Sequence, residues 1–128
     1  MAVNSRTKGA TGEREAAKWL AKIFSLQEPP IRNLDQTRDG GRDLIGLKPF
    51  AIEVKRCQEL KRRAWWTQAQ ASTGVDEITV VMFRRNREKW RFLIPAKLIG
   101  TPGFLEVEWE VFYRWARPLV EGKARDAA

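Results

Sequence analysis

From Asp43 to Lys55 the chain reads Asp43-Leu44-Ile45-Gly46-Leu47-Lys48-Pro49-Phe50-Ala51-Ile52-Glu53-Val54-Lys55, with Gly40-Gly41-Arg42 just ahead. A glycine loop, a short apolar run, a turn signal at Lys48-Pro49 and a second apolar run predict two strands of a sheet interior. Charged residues interrupt both runs. Side chains alternate along a strand, so Glu53 and Lys55 share one face and Ile52 and Val54 the other. A hairpin of this length sets Asp43 alongside Glu53, which puts two carboxylates and an ammonium in one small volume. Ionised groups on a buried strand cost free energy unless they are paired or bound to metal. Two readings follow from these residues: a structural ion pair of Lys55 with Glu53 or Asp43, or a site for a hard divalent cation beside a proton-handling lysine.

What the chain lacks narrows its chemistry. It has no histidine and one cysteine, Cys57. Ser-His and Cys-His nucleophiles are therefore excluded, as is acid–base work by imidazole. A zinc centre needs histidines or several thiolates, so a metal here is held by oxygen, which points to magnesium or manganese. The lone cysteine excludes an internal disulfide framework and fits a reducing cytoplasm, bacterial, archaeal or of a phage-infected host. At 128 residues, 43% hydrophobic and 31% charged, the composition is that of one globular domain. No apolar run is long enough for a membrane span, and residues 1–8 lack the apolar segment of a signal peptide. Lysine and arginine number 24 against 16 acidic residues, a net charge of +8. A domain this basic attracts polyanions, with nucleic acid foremost; no basic amphipathic helix with a wide apolar face argues for a membrane surface.

In chain order, residues 1–8 read as a mobile basic arm carrying Arg6 and Lys8. A helix is predicted over 11–24, capped by Thr11, with Ala16, Ala17, Leu20, Ile23 and Phe24 on one apolar stripe. Glu13 falls on the middle of that stripe, while Glu15 points to the opposite side. Its placement is explained either by a solvated first-turn glutamate favouring the helix dipole or by a function. Residues 31–34 read as a short edge strand and 35–42 as a polar loop. A second helix is predicted over 60–72, where Trp65 and Trp66 beside alanines indicate packing rather than base stacking. A central strand at 78–83, a return strand at 89–94, a helical turn at 95–98 and a strand at 104–107 follow. A last helix bears Trp109, Phe112, Tyr113 and Ala116, stopped by Pro118, and residues 122–128 read as a frayed tail. The order predicts an α/β fold, a single mixed β-sheet flanked by helices.

This arrangement of Glu13, Asp43, Glu53-Val54-Lys55 and Gln68 resembles the PD-(D/E)XK nuclease superfamily. Arg42 stands where the proline of that motif's name would be. Within the superfamily the likeness is to archaeal-type and phage Holliday junction resolvases. It is carried by Lys8-Gly9, Glu13-Arg14, the 43–48 and 51–55 segments and Trp65-Trp66-Thr67-Gln68-Ala69. It spans residues 8–94. The resemblance implies a restriction-endonuclease-like fold and a homodimeric, magnesium-dependent endonuclease, with Mn2+ as substitute, that acts on four-way DNA junctions. Asp43, Glu53 and the Val54 backbone carbonyl would hold the cation, with Glu13 completing the acidic cluster directly or through water. Lys55 would orient or deprotonate the attacking water or steady the phosphate. Gln68 would fix Lys55 or the scissile phosphate, Gln70 being the weaker substitute. Gln36, Arg38 and Arg42 would approach the DNA backbone, with Arg6, Lys8, Arg56, Lys61, Arg62 and Arg63 as further phosphate contacts. Other readings stay open: the same fold cutting flaps, nicks or duplex, and a DNA-binding module that does not cut.

Overall fold

In the computed structural model the described backbone covers residues 5–32, 43–56 and 58–127; side chains are described within these segments except at 5–10, 45 and 121–127. The order of elements is α1 (Ser5–Ile23), β1 (Ile31–Arg32), β2 (Leu44–Ile45), β3 (Phe50–Arg56), α2 (Arg62–Ala71), β4 (Ile78–Arg84), β5 (Arg91–Pro95), a 3-10 turn (Ala96–Ile99), β6 (Phe104–Glu108) and α3 (Trp109–Ala127). The strands form one sheet in sequence order, with β3 to β6 as its long strands and the two-residue β1 and β2 extending one edge. Among the described residues only β3 and β4 run parallel, from Phe50↔Ile78 to Arg56↔Arg84, and α2 lies in the crossover between them; the other neighbouring strands described are antiparallel. The expected α/β fold with one mixed sheet and flanking helices is what the chain adopts. Among the described residues no helix is long and apolar enough to cross a membrane.

Strand alternation divides the interior in two. Ile52 and Val54 of β3, Val80 and Met82 of β4 and Phe92 of β5 pack in the core that holds Ala16, Ala17 and Leu20 of α1 and Phe112 of α3. Val81, Phe83 and Leu93 face the other way, onto Trp65, Trp66 and Ala69 of α2. Both tryptophans are buried, Trp65 against Phe83 and Trp66 against Phe104, so their role is packing. Since Glu53 pairs with Val81 and Lys55 with Phe83, these charged residues stand on the α2 side of the sheet.

Three boundaries differ from the sequence expectation. The helix α1 begins at Ser5, not at Thr11, so residues 5–8 belong to a helix rather than to an arm and Thr11 is no cap. Gly9 and Gly12 weaken a helix interior, but a helix once nucleated propagates at small cost. Gly12 has a packing reason: a Cβ there would lie 2.6 Å from Cγ of Arg56, so its absence lets α1 approach β3 closely. At the other end α3 runs through Pro118 to Ala127 instead of stopping or fraying. Pro118 is exposed, so the carbonyl that loses its helical donor can be hydrated. The edge strand covers only Ile31–Arg32 of its expected span; residues 33 and 34 lie outside the described set.

Aromatic packing seats α3 on the sheet. Phe112, with no exposed surface, stacks on Phe92 with ring centroids 3.9 Å apart and also meets Phe24 and Phe50. Phe112→Ala should lower unfolding stability by about 3–5 kcal/mol, read from urea denaturation. A loss under about 1 kcal/mol, the size of an ordinary surface change, would show that α3 is not part of the cooperative core.

Candidate active site at the β2–β3 hairpin

The hairpin that crosses from β2 to β3 turns at Gly46, whose φ of 113° is a conformation suited to glycine, and closes with the Phe50 N–H donating to the Leu47 carbonyl at 2.9 Å. The register Leu44↔Ile52 puts Asp43 opposite Glu53, the juxtaposition expected from sequence. Asp43 is anchored twice along β3: its N–H donates to the Ile52 carbonyl at 3.0 Å, and its Oδ2 accepts the Val54 N–H at 2.6 Å. The Val54 side chain is buried in the core on the far face. Backbone geometry thus fixes the first carboxylate.

Glu53 is only 3% exposed, and its Oε1 has no hydrogen-bond partner. An orphan acceptor in such a place is costly, and folding alone gives no reason for it. Burial pushes the Glu53 carboxyl up to about 8, helped by the negative Asp43, by a hydrogen bond between the two carboxyls and by Glu13, against the opposing pull of Lys55. Glu53 is therefore biased toward keeping its proton. A divalent cation could replace that proton, and the donors around it are all oxygen. On this observation the pair Asp43 and Glu53 fits a hard cation.

Lys55 follows on the same face, half-buried, and its Nζ donates to Oε1 of Gln68 on α2 at 3.1 Å. Glutamine, a neutral partner, thus helps to hold the Lys55 ammonium, whose charge also acts on Glu53. Gln70 lies elsewhere, lining a cavity of about 230 Å³ with Trp66 and Thr79.

Glu13 reaches the neighbourhood from α1 but is not merged with the pair. Its Oε2 accepts from Arg32 Nε at 2.6 Å, and the carboxylate is 15% exposed. Burial raises its pKa, with Arg32 opposing and Asp43 adding to the rise, so Glu13 and Asp43 sense each other electrostatically. Among the described residues no three acidic or thiol side chains converge as a ready ligand set. The expected cage of Glu13, Asp43 and Glu53 is thus two carboxylates together and a third turned to an arginine.

The expected phosphate contacts divide as well. Lys61 and Arg63 are exposed at the start of α2. Arg62 is instead engaged with Glu106, which also receives Arg91. Burial raises the Glu106 carboxyl, but these two arginines more than reverse it and hold it below the usual range. Arg56 donates to the Arg84 carbonyl at 3.2 Å and to Asn86 Oδ1 at 2.9 Å, and approaches Glu15 at 3.4 Å. Glu15, expected on the outer side of α1, is tied to both Arg84 and Arg56. Arg56 and Arg62 therefore brace the fold. The side chains of Arg6 and Lys8, and all of Gln36, Arg38 and Arg42, lie outside the described residues. Arg32 and the Glu15 network escaped sequence reading because their partners are 19 to 69 residues away and follow only from register and helix placement.

A cavity of about 480 Å³ between Arg62, Trp90 and Glu106 takes in none of Asp43, Glu53 and Lys55. Searches against family models, characterised proteins and solved structures give no match to this chain.

The raised Glu53 carboxyl has a consequence for stability. A group bound more tightly to its proton in the folded state than at its ordinary 4.5 favours folding fully below about pH 4.5, and that contribution is lost as pH rises through about 8. Glu53→Gln removes the dependence. Melting curves without added metal should place it about 5 °C or more above the parent at pH 9, with the two close at pH 5. Parallel pH profiles would show that Glu53 is not held protonated.

Proposed function

We propose that this chain is a metal-dependent DNA endonuclease of the PD-(D/E)XK superfamily, with the restriction-endonuclease-like fold, and that it resolves four-way junctions as a homodimer. The observation that carries the reading is the buried, unpartnered oxygen of Glu53 beside Asp43, with Lys55 next on the same face and steadied by Gln68. A protein that only binds DNA has no use for a buried acidic pair near phosphates, since each carboxylate repels the ligand.

Asp43, Glu53 and the Val54 carbonyl would hold Mg2+ or Mn2+, with Glu13 as a further contact, direct or through water. Bound there, the cation supplies charge neutralisation at the phosphate and a more acidic water. The chain's own groups do the rest. Asp43, locked by the Val54 N–H, presents its carboxylate in a fixed direction. Gln68 holds the Lys55 ammonium so that its charge and proton meet the phosphate or the attacking water at a constant place. Exposed Lys61 and Arg63, with the net charge of +8, would engage the DNA backbone without reading bases. Preference for a branched junction then comes from shape, through two sites presented to two strands. The junction and the dimer rest on the sequence resemblance; the catalytic reading rests on the site.

Asp43→Asn, Glu53→Gln and Lys55→Met should each lower magnesium-dependent cleavage by about 10²-fold or more and leave DNA binding intact, the carboxylate variants binding as well as or better than the parent. The assay offers a labelled four-way junction, a flap, a nicked duplex and plain duplex side by side at one salt concentration. Paired symmetric nicks in the junction support resolution. Equal attack on plain duplex would assign the same site to a general nuclease, and full cleavage by the Asp43 and Glu53 variants would remove the site altogether.

A further inference from the structure

The contact between Glu13 and Arg32 is the unexplained member of the acidic neighbourhood. Glu13 comes from α1, while Arg32 lies in β1, where the register sets it opposite Leu44, the residue after Asp43. The pair is part-buried, with Glu13 15% and Arg32 28% exposed, and Arg32 Nε lies 2.6 Å from Glu13 Oε2. A carboxylate withdrawn from water beside another carboxylate needs a positive partner. Arg32 is that partner here, and it sits one residue from a carboxylate expected to hold a cation.

We propose that Arg32 is a positioning residue that holds Glu13 aside in the cation-free protein and releases it when a divalent cation occupies Asp43 and Glu53. The inference rests on the cation reading above and extends it to the order in which the acidic groups are used. Without a cation, Glu13 turned inward would crowd a third carboxyl group against Asp43 and Glu53. With two positive charges there, Glu13 gains a stronger partner and the Arg32 guanidinium is repelled by the same charge. The exchange explains why the described acidic residues fall short of a complete ligand set while Glu13 lies within electrostatic reach of both others. Arg32 then acts as an internal competitor that sets cation affinity.

Two measurements without DNA test this. In the parent protein, the 15N–1H resonance of Arg32 Nε, assigned by its disappearance in Arg32→Lys, should move to the position of a hydrated guanidinium as Mg2+ saturates the site. In titration calorimetry with Mn2+ at pH 8, Arg32→Gln should bind about tenfold more tightly than the parent. The gain should vanish in a Glu13→Gln background, because a merely repulsive arginine would give the same gain with or without Glu13. A stationary Arg32 resonance in protein that does bind the cation at Asp43 and Glu53 overturns the exchange and leaves the nuclease reading standing. An equal gain in the Glu13→Gln background does the same. Absence of any cation binding at Asp43 and Glu53 overturns both.

Discussion

Everything at the candidate site depends on keeping the Glu53 carboxyl inside the sheet's face with Asp43 against it. Burial and the neighbouring Asp43 carboxylate bias Glu53 toward keeping its proton. Backbone hydrogen bonds of the hairpin help to impose this arrangement. Asp43 is secured by the Ile52 carbonyl and the Val54 N–H, and Glu53 is carried on a strand paired along its length with β4. Asp43 therefore cannot leave its place without breaking hydrogen bonds of the hairpin. Such a strained polar pair is characteristic of a site selected for what it binds.

The cations around that pair fall into distinct sets. Lys55, the nearest cation in sequence, is held by neutral Gln68. Arg32 spends its charge on Glu13, and Arg56 and Arg84 spend theirs on Glu15, beneath the ends of β3 and β4. On the far edge Arg62 and Arg91 converge on Glu106. Most nearby arginines thus serve as internal ties between helices and strands, while Lys61 and Arg63 remain outward. The division separates cations that build the fold from those free to meet a polyanion.

The fold was legible in the sequence where periodicity was strong and partners were near. The β2–β3 hairpin, the central strand at 78–84, the tryptophans of α2 and the aromatic stripe of α3 all follow from alternation and helical spacing. The Asp43–Glu53 juxtaposition was legible for the same reason, since a short hairpin fixes its own register. The helix ends were not, because Thr11 read locally as a cap and Pro118 as a stop, whereas the first helix begins at Ser5 and the exposed Pro118 is tolerated within the last. Nor was the fate of Arg56 and Arg62: a basic run in sequence gives no sign of which guanidinium meets Glu15, Asn86 or Glu106. Arg32 was hidden because its partner lies on another layer of the fold.

Crystals soaked in Mn2+ and measured at its absorption edge would address the acidic pair most directly. An anomalous peak bounded by the carboxylates of Asp43 and Glu53, absent in Asp43→Asn crystals, is the expected result. No peak there at millimolar Mn2+, or a peak only at other carboxylates such as Glu106 or Glu108, would contradict a cation site at the β2–β3 hairpin.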